Sequence, residues 1–280
     1  MEELAARLGR QEYKNWYKAS LCLTMLKEGL QPFINQHMKA FHTDLLNKNS
    51  VLGEPCRISC TPRGTTFPKP CCSCSEWQKV ILRHHRQPGA VTVNWGNCSP
   101  PNWRTDHWEL AKAYMPRGQD RVNNRYDASA LLNLISFCNY FHSVDVTCVK
   151  EVIRSRNELM HSGDCCVPDE WMKRYQKSLK SLLRQFSHVP EMVKAGQKIA
   201  EMLTMNLSIY ISGLVTVDGA RLESAACGQL EISVELISQW EAELLQERLR
   251  ELLCSATDED NDDAKAQVQN ESAHAQLRQT

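Results

Sequence analysis

Six of the chain's 13 cysteines lie close together, between positions 56 and 98. Four of them have the spacing C-x3-C-x10-C-x2-C, which runs from Cys56 to Cys74. A C-x2-C pair brings two thiolates to one ion from a single tight turn, and a second pair completes a tetrahedron. Disulfides are rare in a reducing compartment, so such a cluster indicates a metal there. Zinc suits a soft, redox-inert structural site. The alternative is a set of small buried thiols.

The choice of ligands is open at this point. Cys72 directly follows a candidate ligand, and two adjacent cysteines cannot easily face the same ion; His84 and His85 are also near in sequence. The candidate ligands are Cys71 and Cys74 as the firmest pair, then Cys60, then Cys56, with Cys98 as the alternative fourth ligand. The sequence predicts a structural zinc whose four positions are all filled by protein.

Apolar residues recur at helical spacing over most of the chain, and this pattern predicts an all-α fold. We expect helices over 11–48, 75–85, 108–115, 128–141, 146–161, 168–186 and 191–205. Gly29 and Pro32 predict a break in the first of these, which would make it a helical hairpin. Pro, Gly, Cys and Thr dominate between 50 and 105, which indicates an irregular Cys-rich insertion with a short strand at 91–93.

The charge distribution suggests how the chain is organised. Residues 1–205 carry a net charge of +9 and residues 206–280 a net charge of −9. We therefore expect a helical domain over 1–205 interrupted by the insertion 50–105, then a linker and an acidic amphipathic helix over 206–256, then a disordered acidic tail over 257–280. The basic body is compatible with a polyanion partner. Alternatively, the acidic part only solubilises the chain or folds back on the body.

The sequence contains no run of about 18 apolar residues, the length that a membrane helix needs. The first residues, MEELAARLGR, lack the basic and apolar regions of a secretory signal. We expect a cytoplasmic or nuclear protein without a membrane segment. No G-x-G-x-x-G and no P-loop is present, so nucleotide binding of those kinds is not expected.

The helix over 146–161 carries an unusual residue. Val149, Val152 and Leu159 lie on one apolar stripe, and Arg156 falls in the middle of it. A guanidinium is seldom buried without a partner, so this one must meet a carboxylate, carbonyl groups, a phosphate or a second subunit. Asn157 and His161 are four residues apart and therefore neighbours on one edge of the stripe.

The segment R-N-E-L-M-H resembles the R-[polar]-x(3)-H signature of HEPN domains, which are all-α bundles. The segments CSCSEWQKVILRHH, NWGNC, WELAKAYMPRG, ASALLNLISFC and EVIRSRNELMHS are similar to the HEPN subgroup of the DAZ-interacting zinc-finger ubiquitin ligase. They are more similar still to a vertebrate family named after an X-chromosome open reading frame. The resemblance covers about residues 11–205 and implies a HEPN-like antiparallel helical bundle with a zinc-binding insertion.

The resemblance also implies a function. Active HEPN ribonucleases cut RNA as homodimers without a metal, and two copies of the motif meet at their interface. Carried over, Arg156 would bind the scissile phosphate, His161 would move the proton of the attacking or leaving oxygen, and Asn157 would orient either group. The expected function is HEPN-type RNA binding by a homodimer, with metal-independent endoribonuclease activity left open and no cofactor for catalysis.

The alternative is a non-catalytic, zinc-stabilised adaptor that binds protein through the bundle or through the amphipathic segment 229–254. The tryptophans fit either function. Trp77, Trp95, Trp103 and Trp108 alternate with arginines, a mixture that is typical of proteins that stack and hold single-stranded RNA. The same four residues would also form the core of the insertion.

Overall fold

The computed structural model describes residues 9–63, 65–87, 93–116, 126–210 and 230–233, with side chains except at 208–210 and 230–233. The chain divides into two compact units, Met1–Ile237 and Ser238–Thr280, and all described residues belong to the first. Most of them are helical, which confirms the predicted all-α class. In the described part of the chain, every helix is too short or too polar to cross a membrane.

The helices agree with the predicted ones to within a few residues, apart from the first and from the one at 128–141. They are α1 (Gln11–Lys48), α2 (Cys72–Arg83), α3 (His107–Lys112), α4 (Ala128–Phe137), α5 (Val146–Met160), α6 (Asp169–Gln185) and α7 (Pro190–Thr204). Short 3-10 helices lie at Ser50–Gly53, Trp95–Asn97, Pro100–Asn102 and Asn139–Phe141. The last of these accounts for the early end of α4, because the chain tightens there into a 3-10 turn.

The first helix is continuous, so the predicted hairpin is wrong. α1 runs for 38 residues with Pro32 inside it. Gly29 has a packing role instead, because a Cβ at this position would lie 2.7 Å from Ala195 Cβ and 2.9 Å from Met192 Sδ, both on α7. The glycine lets the two helices approach closely. Burial along this contact outweighs the intrinsic cost of a glycine and a proline inside a helix.

α1 is the central element of the described unit. It packs along α7 and also contacts α3, α4, α5 and α6, while α4, α5 and α6 pack on one another in chain order. The Tyr175 hydroxyl of α6 donates to the Ala19 carbonyl at 3.2 Å, and Trp16 Nε1 donates to the Leu159 carbonyl at 3.2 Å. The second bond fixes the end of α5 against α1 and so positions the helix that carries Arg156.

The segment between 50 and 105 has a larger apolar core than its composition predicts. Phe67 lies 5.8 Å from Trp95 and 5.7 Å from Trp103 by ring centroids, and Trp103 lies 6.4 Å from Trp77. These tryptophans and Trp108 are at most 5% exposed. They are therefore core residues and are not available to stack on a nucleic acid.

β1 (Leu207–Tyr210) and β2 (Leu230–Ser233) form a parallel pair, with Leu207 opposite Leu230. The helix predicted over 229–254 is wrong at Leu230–Ser233, which form β2. The local reason is the alternation of apolar and polar residues in Leu-Glu-Ile-Ser, which suits a strand rather than a helix. The rest of the predicted helix 229–254, with its predicted role in partner binding, and the predicted acidic tail 257–280 lie outside the described residues. So does most of the strand predicted at 91–93.

Candidate functional site

Cys56, Cys60, Cys71 and Cys74 come together, and their Sγ atoms all lie within 4.8 Å of one another. A tetrahedron with Zn–S distances of about 2.3 Å has sulfur–sulfur edges of about 3.8 Å. The Cys71 and Cys56 sulfurs are 3.8 Å apart. The four cysteines, which have the predicted C-x3-C-x10-C-x2-C spacing, could therefore hold one metal ion.

Local turns direct these thiols inward. Ser59 and Lys69 both have positive φ angles, 47° and 51°, and lie just before Cys60 and Cys71. Non-glycine residues adopt this region uncommonly, so it indicates tight turns that the surroundings impose. The Cys60 N–H donates to Cys56 Sγ at 3.3 Å, and the Cys71 N–H donates to Cys60 Sγ at 3.2 Å. The backbone thus supplies donors to the sulfurs of Cys56 and Cys60.

The cluster favours thiolates unequally. Burial raises the pKa of Cys71, but hydrogen bonds from the Cys74 N–H, from the Ser73 hydroxyl and from the backbone of Arg57 more than offset it, so this pKa falls to about 5. Burial first, and neighbouring sulfurs second, raise the pKa of Cys74. Cys71 occupies the N-cap position of α2, and the start of a helix favours a negative charge. A cation in the cluster would favour ionisation of all four thiols.

The two candidates for the fourth ligand lie in different places. Cys56 lies in the cluster, whereas the Cys98 thiol is buried elsewhere, 4.0 Å from the Asn94 carbonyl. Cys72 is exposed and does not belong to the cluster, as expected from its position next to Cys71. The His84 ring is bonded to Asn139 at 2.8 Å, which engages it outside the cluster.

Arg156 is buried on α5, with 4% of its surface exposed, as its place on the apolar stripe predicts. Its Nη2 lies 3.4 Å from Asp127 Oδ2 and its Nη1 lies 3.3 Å from Asn157 Oδ1. Asp127 is the N-cap residue of α4, and its other oxygen accepts the Ala130 N–H at 2.6 Å. The Asp127 carboxylate therefore caps the N-terminus of α4 and also pairs with a buried guanidinium.

Asn157 and His161 are both exposed. His161 ends α5, and its backbone N–H donates to the Asn157 carbonyl at 3.0 Å. No side chain in the described ranges bonds to the His161 imidazole. The predicted catalytic residues are thus close in sequence and lie at one helix end, but among their described side chains only those of Arg156 and Asn157 bond to each other.

Sequence reasoning did not identify Asp127 as the partner of Arg156. The motif Asp-Ala-Ser-Ala before an apolar run does indicate a helix N-cap. The pairing across 29 residues depends on how α4 and α5 pack, and local sequence does not carry that information. The four cysteines of the cluster, in contrast, lie within 19 residues, and their spacing made them candidates, although it left Cys98 as an alternative to Cys56.

Together, a mainly helical fold and a four-cysteine cluster in an irregular segment define a helical protein with a candidate metal-binding site. The chain belongs to the family described as a domain of unknown function (DUF4559), whose family model matches residues 7–278.

The chain is similar to a mouse (Mus musculus) protein with the name "Uncharacterized protein CXorf38 homolog". The two are 40% identical over 266 residues, which is 93% of this chain and 81% of the mouse protein. This similarity confirms the predicted relation to a family named after an X-chromosome open reading frame. No solved structure matches the chain significantly.

Proposed function

We propose that this chain is a non-catalytic, zinc-stabilised helical adaptor that binds a protein partner. The observation that carries the proposal is the contact between the Arg156 guanidinium and Asp127 of the same chain, 3.4 Å apart. An arginine that binds a scissile phosphate must offer its N–H groups to the ligand. Here a helix-capping carboxylate accepts from that group, which supports a structural role for Arg156.

Zinc is the ion that we assign to the cysteine cluster. Cys56, Cys60, Cys71 and Cys74 would hold it, and the all-sulfur donor set suits zinc. A zinc ion with four protein thiolates has no open position for water or substrate. The ion would thus stabilise the insertion and supply no reactive group, which agrees with an adaptor.

A second candidate is a HEPN-type RNA-binding protein that acts as a homodimeric endoribonuclease. It is favoured by the exposure of Asn157 and His161, one helical turn apart at the end of α5. The segments that resemble HEPN domains include α2, α4 and α5, which supports a HEPN-like bundle for the helical body. In a homodimer, two such helix ends could meet across an interface and form a joint site.

One experiment separates the two functions. The purified chain is incubated with labelled single-stranded RNA in EDTA, beside His161→Ala and, as the control, His142→Ala, which removes another exposed histidine. The adaptor predicts identical, uncleaved RNA in all three samples. Cleavage that leaves 2′,3′-cyclic phosphate ends in wild type and His142→Ala, but not in His161→Ala, would overturn the adaptor and establish the second candidate.

RNA binding without cleavage is distinguished by salt. A protein that contacts several phosphates loses affinity steeply as salt concentration rises. We expect protein partners captured by the full chain to remain bound after nuclease treatment, whether or not high salt weakens their binding. Partners that leave under both conditions would be attached through RNA, and this result would contradict the adaptor.

A further inference from the structure

An open apolar groove lies between α6 and α7, and neither Arg156 nor any of the four clustered cysteines lines it. Its volume is about 560 Å³. Leu179 and Ile199 form part of its floor and are 1% exposed, whereas Val193 on its wall is 42% exposed. Val193 is one of the few large apolar residues of the described chain with such exposure. The groove therefore offers both depth and accessible apolar surface.

Gly196 keeps the groove open. It lines the groove on α7, and a Cβ at this position would be 3.7 Å from both Leu183 methyl groups on α6. This distance is ordinary van der Waals contact, so the close approach of two helices does not require a glycine here. At Gly29, in contrast, a Cβ would meet α7 at 2.7 Å. The absence of a side chain at 196 leaves room for a guest rather than for a neighbouring helix.

The charged residues that line the groove are both positive. Lys180 and Arg184 lie on its α6 side and are both exposed, and no aspartate or glutamate is among the lining residues. Neither cation has a carboxylate within ion-pair distance among the residues with described side chains. An exposed basic rim beside an apolar floor is complementary to a ligand that is both apolar and acidic.

We propose that this groove binds an acidic amphipathic helix of a protein partner. The inference rests on the proposed adaptor function and identifies the surface that would bind the partner. The groove is formed by two helices, which have no free backbone N–H and C=O groups with which a strand could pair. A helix is therefore the expected occupant. Apolar side chains at i, i+3, i+4 and i+7 would fill the floor, and acidic residues beside them would face Lys180 and Arg184. A nucleic acid would leave the apolar floor without a suitable contact.

The test is a selection from a displayed library of helical 18-residue peptides against the full chain, followed by fluorescence anisotropy of the enriched peptides. We expect enrichment of acidic peptides with apolar residues at helical spacing. Val193→Asp should weaken their binding by about tenfold or more, because it places a negative charge on the apolar wall and repels an acidic peptide. Gln197→Asp adds the same charge at an exposed position of α7 that does not line the groove, and should have little effect.

Charge reversal gives an independent result. Lys180→Glu with Arg184→Glu should weaken the acidic peptides and shift a new selection toward basic ones, whereas Lys150→Glu on α5 should not. Enrichment of peptides that bind Val193→Asp as well as wild type would overturn the inference and leave an adaptor with another surface. A chain that dimerises until Val193→Asp is introduced would also overturn it, because a second copy would then cover the groove. RNA cleavage in the assay above refutes the adaptor independently of these outcomes.

Discussion

Arg156 lies on an apolar helix stripe, and its guanidinium still meets a carboxylate because α4 begins next to it. Asp127 is one-quarter exposed at its side chain, whereas Arg156 is 5% exposed, so the ion pair lies at the edge of the core. Removing one partner of such a pair leaves the other charge partly desolvated. This geometry makes the stability of the fold, rather than RNA cleavage, the first property that should respond to mutation here.

Asp127→Asn removes the ion pair but keeps the helix cap, because asparagine caps a helix as well as aspartate does. We expect it to lower the free energy of unfolding by about 1–2 kcal/mol, which is less than for a fully buried pair. Asp127→Ala should lower it by about 1 kcal/mol more, because the cap is lost as well. Chemical denaturation measures both.

The matched control is Asp145→Asn, at the aspartate that caps α5 by accepting the Thr147 N–H at 2.8 Å. We expect this variant to unfold like the wild type. If Asp127→Asn unfolded like Asp145→Asn, the Arg156 pair would not contribute to stability, and the structural role proposed for Arg156 would be contradicted.

At the scale of elements, the contact between α1 and α7 organises the helical body. Two glycines of this region have opposite surroundings. A Cβ at Gly29 would lie 2.7 Å from Ala195 Cβ, whereas a Cβ at Gly196 has its nearest contact at 3.7 Å. The same substitution should therefore have opposite effects at the two positions, because alanine is the better helix former but needs space.

We expect Gly29→Ala to lower the free energy of unfolding by about 1–2 kcal/mol, since the overpacking at α7 exceeds the gain in helix propensity. Gly196→Ala should raise it by up to about 1 kcal/mol. Thermal and chemical denaturation of the two variants measure the difference. A stabilised Gly29→Ala would mean that α1 and α7 are further apart at this position than described.

At the scale of the whole molecule, two features bear on the stability of the segment between 50 and 105. Its aromatic residues pack around Phe67 and Trp103, and its cysteines are gathered at the start of α2. Small irregular segments with a limited core commonly depend on a metal. If the metal were lost, the aromatic core should keep most of the segment folded. We therefore expect unfolding to be local, around the cysteines.

We expect about one zinc per chain by elemental analysis. Cys74→Ser should abolish metal binding and lower the free energy of unfolding by more than about 3 kcal/mol, because metal binding contributes directly to folding. A chelator should destabilise the wild type in the same direction. The controls are Cys72→Ser and Cys98→Ser, which alter cysteines outside the cluster and should keep the metal. A wild-type chain that contains no zinc, and that unfolds alike with and without a chelator, would eliminate the site.

The sequence was most informative where the determining residues are close together in the chain. It predicted the helical class, the positions of most helices and the cysteine cluster, because helical periodicity and ligand spacing are local properties. It failed at Gly29, which has the local signature of a break but is required by a helix more than 160 residues away. It also missed Asp127 and the groove beside Gly196, since both arise from how helices pack.

The burial of the tryptophans gives the molecule a built-in optical reporter. Trp77, Trp95 and Trp103 belong to the core of the segment between 50 and 105, and Trp16, Trp108 and Trp171 are also buried. Trp240 lies outside the described residues. Indoles shielded from water fluoresce at shorter wavelengths than hydrated ones. Local loosening around the cysteines would thus register as a red shift in emission without any added dye.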